Sequence, residues 1–263
     1  MLIALTRRIS SRLADCELTH LQRAPIDLAL AEHQHRRYLE VLARAGCGVV
    51  ELDAEPDLPD SVFVEDIAIV LDEIAVMTRP GAASRRPESA SVATALKDYR
   101  ALLRIEGTGQ LDGGDVLRIG RSLYVGQSSR SNAEGISQLR DLVAAHGFEV
   151  QAIPIRECLH LKSAVTALDD ETVLVQPAWV DPGHFDRFRI LEVDPDEAHA
   201  ANVLRIGDQL VMPECFPRTR NRIRSAGFDS HVVDVSELQK AEGAVTCCSL
   251  VFESVPASTA RPA

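Results

Sequence analysis

The sequence predicts an α/β fold of five similar units set in a ring, a pseudo-symmetric five-bladed propeller with a polar site on its central axis. Three observations carry this expectation. A short strand pattern recurs five times, an apolar hairpin pattern follows each copy, and a polar residue opens each hairpin at nearly constant spacing.

The recurring strands are GCGVVELDA (46–54), ALLRIEG (101–107), GFEVQAIP (147–154), FRILEVD (188–194) and GFDSHVVDV (227–235), three of them starting at a glycine suited to ending a helix. Each is followed, after a loop, by two apolar runs split by a turn rich in Asp, Glu or Gly. These runs are VFVEDIAIVLDEIAVMT, GGDVLRIGRSLYVG, LKSAVTALDDETVLV and ANVLRIGDQLVM, and each reads as a β-hairpin. The fifth copy, VTCCSLVFES, runs out at the C-terminus, and IALTRR at the N-terminus looks like its missing partner, so pairing of the two ends would close the ring. Amphipathic helices complete the units. In RSNAEGISQLRDLVAAHG, Ser131 or Asn132 can cap, Ile136, Leu139, Leu142 and Val143 form a stripe, and Gly147 ends the helix. DLALAEHQHRRYLEVLARAG and PRTRNRIRSAG repeat the design. The ring is expected to be a single domain over residues 1–254, followed by a tail (255–263) expected to be disordered.

At 263 residues and 46% hydrophobic, the chain has enough apolar material for a real core. No apolar run approaches the roughly 20 residues needed to span a bilayer, and the opening MLIALTRR is too short for a signal peptide, which points to a cytoplasmic protein. A net charge of −11 argues against nucleic acid or an anionic membrane as partner and leaves a cationic small molecule open. The six cysteines show no CxxC pair and fit neither a zinc site nor a disulfide framework, and a bridge between neighbouring Cys247 and Cys248 would be strained. The sequence leaves a homodimer open.

The hairpins open on Glu65 and Asp66, Asp112 and Asp115, His160, Asn202 and Cys247, and Asp66, Asp112, His160, Asn202 and Cys247 are spaced by 46, 48, 42 and 45 residues. A purely structural ring would place Val or Leu there. A thiol, an imidazole and several carboxylates at one point can do covalent catalysis, with the thiolate attacking and the imidazolium protonating the leaving group. Carboxylates beside the reacting carbon favour a cationic electrophile, and a planar guanidinium matches paired carboxylates. Singly, each residue has a plainer explanation: Cys247 and Cys248 as core thiols of an apolar strand, His160 as a structural histidine, Asp66, Asp112 and Asp115 as turn formers. His33 and His35 face different ways on a helix and make a poor metal pair. Arg85, Arg86 and Arg130 sit at loop-to-helix junctions, either as solvated arginines or as a clamp for a substrate carboxylate.

The stretches LPDSVFVEDIAIV, TRPGAASRR, LDGGDVL, CLHLKS, AANVLR, FPRTR and EGAVTCCSL, in this order, resemble the dimethylarginine dimethylaminohydrolase family of the pentein, or guanidine-modifying, superfamily. The resemblance runs over nearly the whole chain. It implies a pentein propeller that hydrolyses Nω-methylated arginine to citrulline and an amine through a covalent thiouronium, without metal or organic cofactor. It further implies Cys247 as nucleophile, His160 as general acid and later water activator, Asp66 as guanidinium partner, and Asp112 as orienter of His160 or a sharer in that hold. Some relatives carry Glu at the position of Asp112. Glu65 belongs to the same acidic motif as Asp66. By the same resemblance Arg85 and Arg130 bind the substrate carboxylate, Asp60 and the Leu18 backbone lie near its α-amine, the Ala241 backbone touches substrate, and residues 11–25 form a mobile lid. Two alternatives stand beside this: a deiminase-like hydrolase of another guanidine, and a non-catalytic ring that binds amino acids or a protein.

Overall fold

The computed structural model describes residues 1–254; the tail expected to be disordered lies outside the described residues. The described residues form five three-stranded sheets. The first is built on β1 (Leu2–Arg7) and β2 (Gly48–Leu52), which run parallel. The second holds β3 (Ala68–Val70), β4 (Ile74–Met77) and β5 (Ala101–Arg104), and the third β6 (Val116–Ile119), β7 (Ser122–Gln127) and β8 (Glu149–Pro154). β9 (Val165–Ala167), β10 (Thr172–Val175) and β11 (Arg189–Glu192) make the fourth, and β12 (Leu204–Ile206), β13 (Gln209–Pro213) and β14 (Ser230–Val233) the fifth. Finally β15 (Leu250–Glu253) returns antiparallel to β1, from Leu2 against Glu253 to Leu5 against Leu250. The two ends of the chain thus close the ring, as IALTRR and the truncated last hairpin foretold.

Every sheet has one plan: an antiparallel hairpin, then a third strand parallel to the second. The middle strand bonds on both edges and is covered on both faces, which is why IAVM, TVLV and LVMP are continuous apolar runs with no alternation. The third strand lies at the periphery, where β5 and β11 are exposed at both ends and half-buried between.

Outer helices cover the sheets. In chain order the helices are α1 (Leu28–Arg44), α2 (Ser89–Leu96), α3 (Ala133–Ala144), α4 (Leu161–Ala164), α5 (Pro217–Ser225) and α6 (Ser236–Gln239), of which α4 and α6 are single turns and α4 lies at the inner end of its unit. The α3 cap is Asn132, whose side chain accepts from the Gly135 N–H, while Ile136, Leu139 and Val143 are buried against β6 to β8. Gly147, at φ +71°, takes the left-handed turn that releases the chain into β8. The expected repeat is imperfect in the fourth sheet, where a short 3-10 turn (Pro182–Phe185) stands in for the outer helix. Two prolines, Pro177 and Pro182, interrupt that segment.

The polar residues foreseen as hairpin openers sit one step earlier than a strand. Each occupies a tight turn at the inner end of its unit: Glu65 and Asp66 in a 3-10 turn (Val64–Ile67), Asp112 before another (Gly113–Asp115), and His160 as the residue preceding α4. Cys247 and Cys248, expected within a strand, lie in a turn that ends before β15 begins. A turn can aim one side chain along the axis while its neighbour faces the blade, which a pleated strand does less freely.

Candidate active site

At one end of the ring these turns converge on a small cavity lined by Asp60, Phe63, Asp66, Arg85, Arg130, Leu159, His160, Ala241, Gly243 and Cys247, with Glu17 and Glu242 at its rim. Its volume is about 20 Å³, room for about one water and too little for an amino acid, so the loop around it must move for a substrate of that size to enter.

Cys247 is partly buried, and its Sγ accepts from the Ala244 N–H at 3.3 Å. Burial, reinforced by the charges of Glu65 and Asp66, pushes its thiol up to about 12. His160 Nε2 pairs with Asp112 Oδ2 at 3.1 Å, and Nδ1 lies 3.8 Å from Asp66 Oδ1. Burial alone would depress this imidazole, but Asp66, Asp112 and Asp115 outweigh it and hold it up to about 9. With Asp112 occupying Nε2, Nδ1 is the nitrogen left to deliver a proton. Gly114 makes room for it: a Cβ there would stand 2.5 Å from Nδ1 and 2.7 Å from Asp66 Oδ1.

Asp66 is gripped from behind by Arg85 Nη1 at 2.5 Å and by the Gly114 N–H at 2.9 Å. Burial opposes its ionisation, yet His160 and Arg85 win and keep the carboxyl below the ordinary range. Asp112 is fully buried, sits behind the imidazole rather than at the cavity wall, and also accepts from the Gly81 N–H at 2.9 Å. Asp60 accepts the Glu17 N–H through both oxygens, and burial raises its pKa despite Arg85.

Two expected substrate contacts look different in three dimensions. Glu65 does not face the cavity: its Oε1 accepts from Lys162 Nζ at 2.6 Å and its Oε2 from Thr246 Oγ1 at 2.7 Å. In a 3-10 turn successive side chains diverge by about 120°, so Glu65 and Asp66 cannot point to the same place. Glu65 closes the far side of the site, where a separate axial cavity of about 280 Å³ runs between the first strands of the hairpins. Arg85 lines the cavity, but all three of its guanidinium nitrogens are engaged, with Asp66, Glu88 and the carbonyls of Asp60 and Phe63. Of its five N–H donors only the second hydrogen on Nη1 has no protein acceptor among the described residues, so it has little left to offer a substrate carboxylate. Arg130 has donors to spare, its one side-chain bond being from Nη2 to Thr19 Oγ1 at 2.9 Å.

Leu18 does not line the cavity, although its neighbour Glu17 does. Arg86 donates to the Pro80 carbonyl, away from the site, and Asn202 binds the Thr246 N–H and hydroxyl, bracing the turn that carries Cys247. His33 is exposed and His35 buried, so they do not pair.

Asp66, Asp112 and His160 are the one group of metal-ligating type among the described residues. Each already holds a protein partner, the imidazole with Asp112 and Asp66 with Arg85, which suits a proton-handling set. All six cysteines are free.

Sequence reasoning missed Lys162, Thr246 and Glu242. Glu242 has φ +59°, unusual for a non-glycine, and its carboxylate accepts three successive N–H groups, those of Thr19, His20 and Leu21, at 2.9, 2.5 and 2.6 Å. It thereby fastens the segment expected to be a lid across the site. No periodicity could have announced this, since the partners lie more than 220 residues apart.

The arginine deiminase family model matches residues 53–210. The chain is 44% identical over 94% of its length to an N(G),N(G)-dimethylarginine dimethylaminohydrolase of Streptomyces coelicolor, covering 95% of that protein. It is 34% identical over 86% of its length to the protein so named in Pseudomonas aeruginosa, covering 90% of it. A solved structure of the Pseudomonas aeruginosa enzyme, a cysteine-to-serine mutant complexed with citrulline, superposes with a TM-score of 0.90 at 33% identity, over 95% of this chain and 98% of that one. A dimethylarginine dimethylaminohydrolase adduct with S-methyl-L-thiocitrulline matches with the same score over 96% and 100%. Among the described residues no helix is long and apolar enough to cross a membrane.

Proposed function

The chain belongs to the dimethylarginine dimethylaminohydrolases within the arginine deiminase family, and from that premise and the site's geometry we infer that it hydrolyses Nω-methylated arginine to L-citrulline and dimethylamine or methylamine. The observation that carries this is the sharing of one cavity by the Cys247 thiol, the His160 imidazolium and the Asp66 carboxylate, with Arg130 at its side. That set holds a planar cation beside a nucleophile and a proton donor, and it suits a substrate with a carboxylate at its far end.

Asp66 seats the guanidinium, Asp60 takes the α-amine, and Arg130 takes the carboxylate, joined by Arg85 through its remaining Nη1 hydrogen. The Ala241 backbone and the loop around Leu18 complete the enclosure. Cys247 gives up its proton to solvent as the cation binds, and the thiolate attacks the guanidinium carbon to form the C–S bond of a tetrahedral adduct. His160 gives its Nδ1 proton to the methylated nitrogen, the C–N bond breaks, and the amine leaves a thiouronium on sulfur. Now neutral, His160 takes a proton from water as the hydroxyl adds to the same carbon. The C–S bond then breaks, releasing citrulline and restoring the thiol. Asp112 keeps the ring in place throughout. Residues 1–254 act as one catalytic domain, and six free thiols fit a reducing compartment such as the cytoplasm.

The test is a citrulline assay with asymmetric dimethylarginine, monomethylarginine, arginine and agmatine, run beside Cys247→Ser. Turnover of the methylated arginines and its loss in the variant are expected. Preference for unmethylated arginine would make the chain a deiminase instead, and no citrulline from any of the four would end the proposal.

A further inference from the structure

Asp115 touches no substrate in the chemistry above and acts on His160 only through its charge, yet it is fully buried and its carboxylate is saturated with donors. Its Oδ2 accepts from the hydroxyls of Ser128 at 2.5 Å and Ser131 at 2.6 Å, and its Oδ1 from the Leu161 N–H at 2.9 Å. Each donor leads to a site residue. Leu161 immediately follows His160 and opens α4. The Ser128 hydroxyl oxygen accepts from the N–H groups of Arg130 at 3.0 Å and Ser131 at 3.2 Å, shaping the turn that presents Arg130. The Ser131 oxygen accepts the Asp112 N–H at 3.1 Å, and Asp112 is the partner of His160.

We propose that Asp115 is a positioning residue that fixes the general acid His160 and the carboxylate-binding Arg130 relative to each other through one buried carboxylate. The inference rests on the roles assigned under the proposed function. The polarity of the network requires a carboxylate. Both lone pairs of the Ser128 oxygen are taken by backbone N–H groups, so its own proton must go outward, to an acceptor. An amide nitrogen in place of Oδ2 would face the outgoing Ser128 proton, and in place of Oδ1 it would face the Leu161 N–H, so either orientation sets donor against donor. The space is fitted to it as well, since a Cβ on Gly126 would stand 2.5 Å from Asp115 Oδ1. Burial raises the Asp115 carboxyl to about 6 against the help of His160 and the two serines, so it remains ionised at neutral pH. The charged groups facing His160 are then Asp66, Asp112 and Asp115, and removing one of the three must make the imidazolium easier to discharge.

Asp115→Asn is the test, with Ser128→Ala as its one-sided counterpart. Three readouts apply: kcat and KM for monomethylarginine, inhibition by agmatine, which lacks the carboxylate, and the His160 pKa from NMR of histidine-labelled enzyme. Asp115→Asn is expected to lower kcat roughly 10- to 100-fold, as a misplacement near 1 Å does, to raise KM about tenfold, and to lower the His160 pKa, with agmatine inhibition little changed. Ser128→Ala should raise KM alone. An Asp115→Asn enzyme that melts earlier but shows wild-type kcat, KM and His160 pKa per folded molecule would make Asp115 a scaffold residue and overturn the proposal. Should that variant not fold, Ser128→Ala with Ser131→Ala removes two of the three bonds, and unchanged kcat and KM there would overturn it equally. The NMR readout needs no turnover: wild type without citrulline formation defeats the assigned function, whereas an unmoved His160 pKa defeats the role of Asp115.

Discussion

Alkylating Cys247 with a neutral reagent and with a cationic one of similar reactivity asks whether the substrate's charge creates the nucleophile. In the free protein, burial and the nearby carboxylates of Glu65 and Asp66 push the thiol up to about 12. At neutral pH that leaves a thiolate fraction on the order of 10⁻⁵. A cation bound about 4 Å from the sulfur is worth roughly 4 kcal/mol at an effective dielectric of about 20, which is about three pKa units. The bound-state thiol then falls near 9, and the reactive fraction rises about 1000-fold, to the order of one per cent. The expected result is that iodoacetamide inactivates the free enzyme at a rate still climbing at about pH 10, while a haloacetamidine with its amidinium charge reacts about 1000-fold faster at neutral pH. Glu65→Gln should speed the neutral reagent, because removing a carboxylate lowers a thiol's pKa and leaves the Lys162 ammonium, within 2.6 Å of Glu65, without its partner. A plateau for iodoacetamide at or below about pH 8, or thiolate ultraviolet absorbance in the free enzyme at neutrality, would refute the reasoning.

Three further outcomes are expected. The His160 imidazole is raised from 6.5 to about 9, so its proton is retained below that pH and lost above it; kcat should peak near pH 9, climbing below it as bound Cys247 ionises and falling above it as His160 discharges, and in Asp112→Asn the falling limb should move toward 6.5. A limb unmoved by the substitution would remove Asp112 from the proton-holding set. Glu242→Ala strips the acceptor from three N–H groups of residues 19–21, so limited trypsin digestion at Arg23 should accelerate and KM rise about tenfold; digestion at the wild-type rate would show that the loop is held by something else. Gly114→Ala would drive a methyl group into His160 Nδ1 and Asp66 Oδ1, and a loss of about 100-fold in kcat with the fold retained by circular dichroism is expected, against near-normal turnover if the imidazole has room to shift.

How much was readable in advance follows from the range of each interaction. Asp66, Asp112, His160 and Cys247 stood out because a ring of repeats puts equivalent positions at its hub, and a side chain able to do chemistry is conspicuous where a blade wants Val or Leu. Glu65 and Asp66 could not be told apart, since adjacent acidic residues look alike until a 3-10 turn splays one toward Lys162 and the other toward the cavity. Arg85 and Arg130 were equally matched as loop arginines, and only packing shows that Glu88 and Asp66 claim the first.

The sequence by itself determined the five repeated units, the closure of the ring through IALTRR and the set of polar side chains carried to its hub, because each is written in local pattern and position within a repeat. Tertiary structure alone decided which of the two adjacent carboxylates faces the cavity, that Asp115 braces two blades at once, and that Glu242 fastens a loop more than 220 residues before it. Those choices depend on distances across the closed ring, and a chain's periodicity carries no information about what meets what once its two ends have joined.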